Sequence, residues 1–206
     1  MYSAFMFPLP PLDEEYREKG YSLIAGVDEA GRGPLAGPVF AAAVILPPDS
    51  GLPPLLDSKK FLPARRETLY HQILSVAVSW YVARVENPVI DEINILQATM
   101  KAMVLAVKNL APTPELVLVD GNRSPFTETH SRTITKGDRL SQSIGAASIL
   151  AKVQRDRVMV EYHNCWPHYG FDRHKGYGTR EHLDAIIRHG PCPIHRKSFR
   201  GVKEHC

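Results

Sequence analysis

Four acidic residues stand where elements of secondary structure are expected to begin or end. Asp28 and Glu29 close an apolar run. Asp120 follows the run ELVLV, and Asp138 precedes a long helical pattern. Taken singly, each is explained by turn or helix-cap chemistry. Together, four carboxylates at neighbouring sheet ends would repel one another unless a cation lay among them. Oxygen ligands of this kind suit Mg²⁺ or Mn²⁺, so the four residues form a candidate metal site.

A glycine-rich loop, Gly31-Arg32-Gly33, follows the first acidic pair. It does not match the dinucleotide-binding fingerprint, because Gly37 comes one position too late and the apolar run PVFAAAVIL follows in place of a helix. The glycines let the backbone approach a ligand closely, and Arg32 is suited to meet a phosphate. By itself the loop is a weak signal.

Two segments near the C-terminus could also contact a ligand. Tyr177 lies between glycines in HKGYGT, where it is either an exposed loop aromatic or a ring that stacks on a sugar or base. The segment HRKSFR (195–200) is most simply a solvated basic tail, with a phosphate clamp as the alternative. The histidines outside these motifs lack the spacing of metal ligands and are expected at the surface; they are His163, His168, His182 and His189.

The composition limits the class of protein. With 206 residues, 44% of them hydrophobic, the chain is long enough for a core and is expected to form one domain. It has no apolar run near the ~18 residues of a spanning helix, no signal peptide is expected, and its three widely spaced cysteines are typical of a reducing compartment. Residues 152–206 carry 11 basic and 6 acidic side chains, a net +5, which is compatible with a polyanionic partner.

The hydrophobic pattern predicts an α/β protein. Strands are predicted at 21–28, 38–46, 75–85, 115–120 and 131–137. Helices are predicted at 64–74, after an Asn87 cap with Pro88 in first position, from about Asp138, and at 179–190. Residues 8–12 (PLPPL) are expected to form an extended arm. This order of elements predicts a mixed sheet with packed helices, whose ligands collect at strand ends.

Read together, these segments resemble the motifs of bacterial ribonuclease HII. The matching stretches, in order, are DEAGRGPLAGPV (28–39), DSKK (57–60), VDGN (119–122), KGD (136–138), AASILAKVQRDR (146–157), HKGYGT (174–179) and HRKSF (195–199). The resemblance covers about residues 21 to 199. The first motif is the most specific, and no acidic position departs from the pattern.

The resemblance implies a ribonuclease H-like fold: a mixed five-stranded sheet flanked by helices, with a helical C-terminal part. It implies a single catalytic domain over 21–206, including the C-terminal helical region and basic tail, after an N-terminal extension over 1–20. The implied activity is endonucleolytic hydrolysis of RNA in RNA–DNA hybrids, and incision on the 5′ side of single ribonucleotides embedded in duplex DNA. Ribonucleotide removal and replication-primer processing are the implied roles.

The resemblance also implies roles for individual residues. Asp28, Glu29, Asp120 and Asp138 would hold two divalent cations, Mn²⁺ or Mg²⁺, and cleavage would leave 5′-phosphate and 3′-hydroxyl ends. The residues implied to read the 2′-hydroxyl are Gly31, Arg32, Gly33 and Tyr177. Those expected to contact phosphates are Lys59, Lys152 and Arg155. A cytoplasmic monomer is expected, with no membrane association. The alternatives are a type-1 or other ribonuclease H-like nuclease and a non-catalytic nucleic-acid-binding module.

Overall fold

The computed structural model describes residues 11–55, 61–127 and 129–206. Lys59, and most of the segment expected to be an extended arm, lie outside these ranges. The described end of that arm is not extended, because Pro11 begins helix α1 (Pro11–Glu18). Proline is well tolerated in the first turn of a helix, where its missing N–H has no intrahelical acceptor.

A mixed five-stranded sheet forms the centre of the molecule, as predicted. Its strands are β1 (Ile24–Ala30), β2 (Val39–Ile45), β3 (Ser79–Val85), β4 (Leu116–Asp120) and β5 (Ser131–Ile134). The spatial order is β3-β2-β1-β4-β5. The pairs β1–β2 and β2–β3 are antiparallel, whereas β1–β4 and β4–β5 are parallel. Strand β1, which carries Asp28 and Glu29, is therefore the central strand.

Helices cover both faces of the sheet. The longer ones are α2 (Pro63–Val76), α3 (Asn87–Lys108), α4 (Gln142–Cys165) and α6 (Arg180–His189), and α5 (Phe171–His174) is a single turn. Along β2, alternate residues face opposite layers, so Ala41 and Ala43 pack towards α3 while Ala42 and Val44 pack towards α2 and α4. Every residue of β2 is buried for this reason.

Two helix starts differ from the prediction. The helix expected from about Asp138 begins at Gln142, because Gly137–Arg139 form a separate 3-10 turn and Ser141 is the cap, its hydroxyl accepting from the Ile144 amide at 3.2 Å. At α3 the cap is Glu86, and Asn87 is already helical. The Asn87 side chain instead donates to the carbonyls of Pro193 and His195, which ties α3 to the C-terminal segment.

The start of α4 lies directly against β1. A Cβ at Gly26 would come within 2.1 Å of the Ser143 carbonyl carbon, so this close crossing requires glycine. Asp13 of α1 is 1% exposed and accepts from the amides of Gln142 and Ser143 and from the Ser143 hydroxyl. A carboxylate at a helix N-terminus is stabilised both by these donors and by the helix dipole. Helix α1 thereby fixes the end of α4 that supports the acidic edge of β1.

The C-terminal part is helical and has a small core of its own. Tyr169, Phe171, Ile186 and Ile194 form this core, and Leu35 and Ala36, which follow the glycine-rich loop, belong to the same cluster. The loop is therefore packed between the sheet and the C-terminal residues. In the described part of the chain, no helix has the length and apolar character needed to cross a bilayer.

Candidate active site

The acidic residues meet at the C-terminal ends of β1 and β4. Val27 pairs with Val119 in the parallel register, so Asp28 and Asp120 are the next residues of adjacent strands. The Gly137 amide donates to the Asp120 carboxylate at 2.6 Å, which brings the turn containing Asp138 to the same edge. Asp138 therefore belongs to a turn that is attached to this edge of the sheet, and it does not cap α4.

Repulsion and burial act together on Asp28. The residue is 4% exposed. Burial raises the pKa of its carboxyl well above the usual range, and the negative charges of Glu29 and Asp120 raise it further, while hydrogen bonds from Ser148 and the Glu29 amide oppose these effects. A group in this environment is stabilised by a nearby positive charge. The site is therefore suited to a cation.

Three of the four predicted acids line an open cleft of about 430 Å³; they are Asp28, Glu29 and Asp120. Asp138 is 3% exposed, and the described residues that line the cleft do not include it. Within the described ranges, no three His, Cys, Asp or Glu side chains already stand as a metal-binding group. The donor chemistry fits Mg²⁺ or Mn²⁺, because all of these side chains offer carboxylate oxygens.

The loop Gly31–Gly33 forms the wall of the cleft next to the acids. Gly31 has a φ of +97°, and a Cβ there would lie 2.1 Å from Nε of Arg155, so both conformation and packing require glycine. Gly33 differs, since its Cβ would meet only Cε1 of Tyr177 at an ordinary 3.4 Å. Packing within the chain therefore does not explain glycine at position 33, whereas the close approach of a ligand would.

The partly exposed side chain of Arg32 forms an ion pair with Glu29. Its guanidinium lies 3.1 Å from the Glu29 carboxylate, and about half of its side chain is exposed. The ion pair shows that a cationic group is accepted beside Glu29. Because it is largely exposed, it contributes little to stability and can open when a ligand enters.

Arg155 lines the cleft, but donors of its guanidinium are used within the protein. It is 1% exposed, and its guanidinium donates to the carbonyls of Ala36 and Pro38 at 3.2 and 3.3 Å. Its hydrogen-bonding groups are directed into the protein, and the guanidinium lies 6.0 Å from the ring centroid of Tyr177. Arg155 therefore supports the loop and the tyrosine from behind, and its contact with phosphate stays a prediction.

The segment 195–200 is solvated only in part, because Lys197, Ser198 and Arg200 are exposed while His195 and Arg196 are buried. Arg196 is fully buried and donates to the carbonyls of Gly31, Arg32, Pro34 and Gly37 at 2.6–3.0 Å. Burial, aided by the neighbouring Arg155, lowers the pKa of Arg196 to about 9, so the side chain stays protonated at neutral pH. The sequence indicated a basic segment near a phosphate, but not a buried arginine that binds the backbone of the glycine-rich loop.

Tyr177 faces the glycine-rich loop across the cleft. It is 46% exposed, and its backbone is held by hydrogen bonds from the Tyr177 amide to the His174 carbonyl and from the Thr179 amide to the Tyr177 carbonyl. The Leu35 amide donates to the Gly176 carbonyl at 2.8 Å, so the two glycine-containing segments are joined directly. The ring is therefore exposed on a fixed backbone.

Lys152 lines the cleft, beside two residues that the sequence did not single out as ligands, Ser148 and Arg66. Lys152 lies 2.6 Å from Asp156, and burial is the main cause that lowers the pKa of its amine. The spacing of Ser148 and Lys152 on one face of α4 could have identified Ser148. Arg66 comes from α2, whose sequence gives no comparable signal.

Behind Tyr177, His182 and His195 form a buried pair, and the ring of half-buried His174 stacks on that of His182. This burial corrects the expected surface location of His182. His182 and His195 are 0% exposed, and their Nε2 atoms lie 3.0 Å apart. If His182 donates from Nδ1 to the Tyr177 carbonyl, His195 must donate from Nε2, and its Nδ1 then accepts from the Cys192 amide. His174 accepts from the Gly176 amide. A proton added to His195 would replace the hydrogen bond that its Nδ1 accepts from the Cys192 amide.

We expect the buried pair His182 and His195 to make the fold sensitive to acid. Burial lowers the pKa of His182 and of His195 to about 4, below the ~6.5 of an unfolded histidine. The unfolded state therefore binds more protons, and stability present above pH 6.5 should be lost as the pH falls towards 4. Thermal unfolding between pH 7.5 and 5 measures this loss.

The contribution of the histidines to the pH dependence of stability must be separated from that of Asp28. The raised pKa of Asp28 gives the opposite slope, so the series is best recorded in an Asp28→Asn background. His182→Gln should flatten the dependence, whereas the exposed His71→Gln should leave it unchanged. An equal slope in all three proteins would contradict the assignment.

Comparison with known proteins gives one consistent result. The family model described as ribonuclease HII matches residues 25–202. The chain is 53% identical over 195 residues to the ribonuclease HII of Syntrophus aciditrophicus (95% of this chain, 92% of that protein). It is 55% identical over 187 residues to that of Geobacter sulfurreducens (91% and 86%).

Solved structures agree on the fold. The ribonuclease H2 of Pyrococcus horikoshii OT3 superposes with a TM-score of 0.73 at 27% identity, covering 88% of this chain and 95% of that chain. Bst-RNase HIII in complex with Mn²⁺ superposes with a TM-score of 0.65 at 17% identity, covering 90% and 70%. The predicted ribonuclease H-like α/β fold is thereby confirmed.

Proposed function

This chain belongs to the ribonuclease HII family and is a ribonuclease H, and from that premise we propose which substrate it cleaves and how. The proposed activity is hydrolysis of RNA in RNA–DNA hybrids and incision on the 5′ side of single ribonucleotides in duplex DNA. The observation that supports it is one cleft lined by three carboxylates, the glycine-rich loop and an exposed tyrosine. Ribonucleotide removal and primer processing follow as its roles.

The acidic edge is proposed to bind the divalent cations. Asp28, Glu29, Asp120 and Asp138 would hold two Mg²⁺ or Mn²⁺ ions, the last of them from the turn attached to Asp120. When bound, such a pair supplies an activated water and neutralises charge at the leaving oxygen. Buried Asp28, whose pKa is raised by burial and by its acidic neighbours, would gain most from the cations. The products would carry 5′-phosphate and 3′-hydroxyl ends.

The glycine-rich loop is proposed to read the 2′-hydroxyl. Among the described residues, neither the Arg32 amide nor the Gly33 amide has a backbone acceptor, and both residues line the cleft. Since RNA differs from DNA at this position by one hydroxyl, donors placed beside the acids distinguish the two sugars where the bond breaks. Lys152 is proposed to contact phosphate on the same side.

The decisive assay uses a DNA duplex that contains one internal ribonucleotide. With Mg²⁺ or Mn²⁺ we expect incision on its 5′ side, and with EDTA we expect none. A matched all-DNA duplex controls for contaminating nucleases, and a long RNA–DNA hybrid supplies the second substrate. Cleavage of the hybrid without cleavage at the single ribonucleotide would favour a type-1-like enzyme and remove the role proposed for the loop.

Tyr177 is proposed to stack on the sugar or base beside the 2′-hydroxyl. Stacking on an aromatic side chain contributes ~1–3 kcal/mol, so Tyr177→Ala should lower kcat/KM at a single ribonucleotide about tenfold. Tyr177→Phe retains the ring and is the matched control, expected to keep most activity. Equal rates for Tyr177→Ala and the unmodified protein would remove this role.

A single catalytic domain in a reducing cytoplasm is the setting we propose. All three cysteines are free, two of them exposed, which suits a compartment that keeps thiols reduced. A monomer is expected, and analytical ultracentrifugation with and without a ribonucleotide-containing duplex would test it.

A further inference from the structure

One buried side chain holds the shape of the glycine-rich loop. Nη2 of Arg196 donates to the Gly31 carbonyl at 2.6 Å, and Nη1 donates to those of Arg32 and Pro34 at 3.0 and 2.8 Å. Nε donates to the Gly37 carbonyl at 2.9 Å. A single guanidinium therefore fixes the carbonyl direction of four peptide groups in a seven-residue stretch.

The direction of a carbonyl also determines the direction of the next amide. In a trans peptide the C=O and the following N–H point in opposite directions across the plane. The Gly31 and Arg32 carbonyls face the buried Arg196, so the Arg32 and Gly33 amides face away from it. Neither of these amides has a backbone acceptor among the described residues, and both belong to a loop that lines the cleft.

From this geometry we infer that Arg196 is a positioning residue that turns the Arg32 and Gly33 amides towards the 2′-hydroxyl of the substrate. The inference rests on the proposed function, because it assigns a cause to the loop's orientation and not a new substrate. Arg196 touches neither the acids nor the open side of the cleft, so its effect acts through the loop.

Backbone contacts hold Arg196 in register with the loop. The Arg196 amide donates to the Leu35 carbonyl at 2.8 Å, and the Gly37 amide donates to the Ile194 carbonyl at 2.8 Å. On the far side, the Asp91 carboxylate accepts from the amides of Lys197 and Ser198 and from the Ser198 hydroxyl. Asp91 thus anchors the turn that carries Arg196, away from the cleft.

Lysine cannot replace arginine at this position. The planar guanidinium offers five donors in a fixed fork, whereas an ammonium is a single point with three. Arg196→Lys keeps the charge but cannot span four carbonyls. We therefore expect the peptide groups of the loop to lose their common orientation while the acids at the ends of β1 and β4 stay in place.

The test measures discrimination and not activity alone. The Kd of an all-DNA duplex is divided by the Kd of the same duplex with one ribonucleotide, both measured in EDTA so that no cleavage occurs. For the unmodified protein we expect a ratio of about ten, as two backbone hydrogen bonds at ~0.7 kcal/mol each would give. Arg196→Lys should bring the ratio close to one without weakening all-DNA binding. Arg200→Lys, an exposed arginine four residues later, is the matched control.

A general loss of structure would weaken both duplexes equally and leave the ratio unchanged, so the ratio isolates the loop. If the Arg196→Lys protein folds and has the same ratio as the unmodified protein, the role of Arg196 is overturned while 2′-hydroxyl recognition still stands. A ratio near one in the unmodified protein would contradict 2′-hydroxyl recognition by the amides, and with it the role of Arg196. If Arg196→Lys fails to fold, Asp91→Ala decides: a reduced ratio supports the inference, and an unchanged one overturns it.

Discussion

Replacement of Asp28 by asparagine is expected to abolish cleavage and to stabilise the fold. The carboxylate is buried beside Glu29 and Asp120, and these neighbours with burial raise its pKa. Asparagine keeps the size but removes the charge that would hold a cation. We expect kcat to fall about 1,000-fold or more, equivalent to ~4 kcal/mol of transition-state stabilisation. Binding of the hybrid should change little, because substrate affinity depends mainly on phosphate contacts.

The stability change separates this explanation from simple damage to the protein. In EDTA at pH 7, Asp28→Asn should raise the Tm by about 2–4 °C if ~1 kcal/mol of repulsion is relieved. It should also reduce the Tm increase that Mn²⁺ gives the unmodified protein, since ligand stabilisation follows affinity. Asp13→Asn is the matched control: Asp13 is equally buried but accepts three hydrogen bonds at the start of α4. That variant should lose stability and keep activity.

A lower Tm for Asp28→Asn in EDTA would contradict the repulsion at the acidic edge. Full cleavage by this variant would overturn the assignment of Asp28 to the metal site. The two results are independent, because the first concerns the free protein and the second concerns the loaded one.

Gly33→Ala should leave the stability of the protein nearly unchanged but lower its kcat/KM at a single ribonucleotide. A Cβ at this position meets only the Tyr177 ring at 3.4 Å, so the Tm should stay within about 2 °C. In the complex, the methyl group would hold the sugar away from the loop. Loss of two hydrogen bonds of ~0.7 kcal/mol each would lower kcat/KM at a single ribonucleotide about tenfold.

The neighbouring glycine provides the contrast. Gly31→Ala places a methyl 2.1 Å from Nε of Arg155 at a φ of +97°, so it should lower the Tm strongly. If instead Gly33→Ala unfolds the protein, glycine at 33 has a structural cause. If it folds and cleaves normally, the sugar does not approach the loop at this point.

Regular patterns in the sequence predicted the regular parts of the fold. The strands were found within a few residues of their predicted ends, because β2 and β4 are continuous apolar runs bounded by turn residues. The last helix was located accurately because Thr179 caps it and Gly190 ends it. The start of α4 was misplaced because Asp138 has the sequence context of a cap, while the actual cap, Ser141, comes three residues later.

The sequence did not predict which polar residues are buried. Arg196 and His182 are hydrophilic by type, so a hydropathy pattern assigns them to the surface. Their burial depends on partners far along the chain: Arg196 on carbonyls of residues 31–37, and His182 on His195 and the Tyr177 carbonyl. The helical position of Arg155 indicated the cleft, which it does line, but not the carbonyls of Ala36 and Pro38 to which it donates.

The bonds between Arg196 and the loop also have a consequence for biosynthesis. They join residues separated by 159 to 165 positions in a sequence of 206 residues. Because synthesis proceeds from the N-terminus, the sheet strands leave the ribosome long before Arg196 does. A nascent chain that already carries all four acids still lacks the side chain that orders the loop. We therefore expect chains that end before Arg196 to lose discrimination between ribose and deoxyribose, so selective cutting requires synthesis of the segment that carries Arg196.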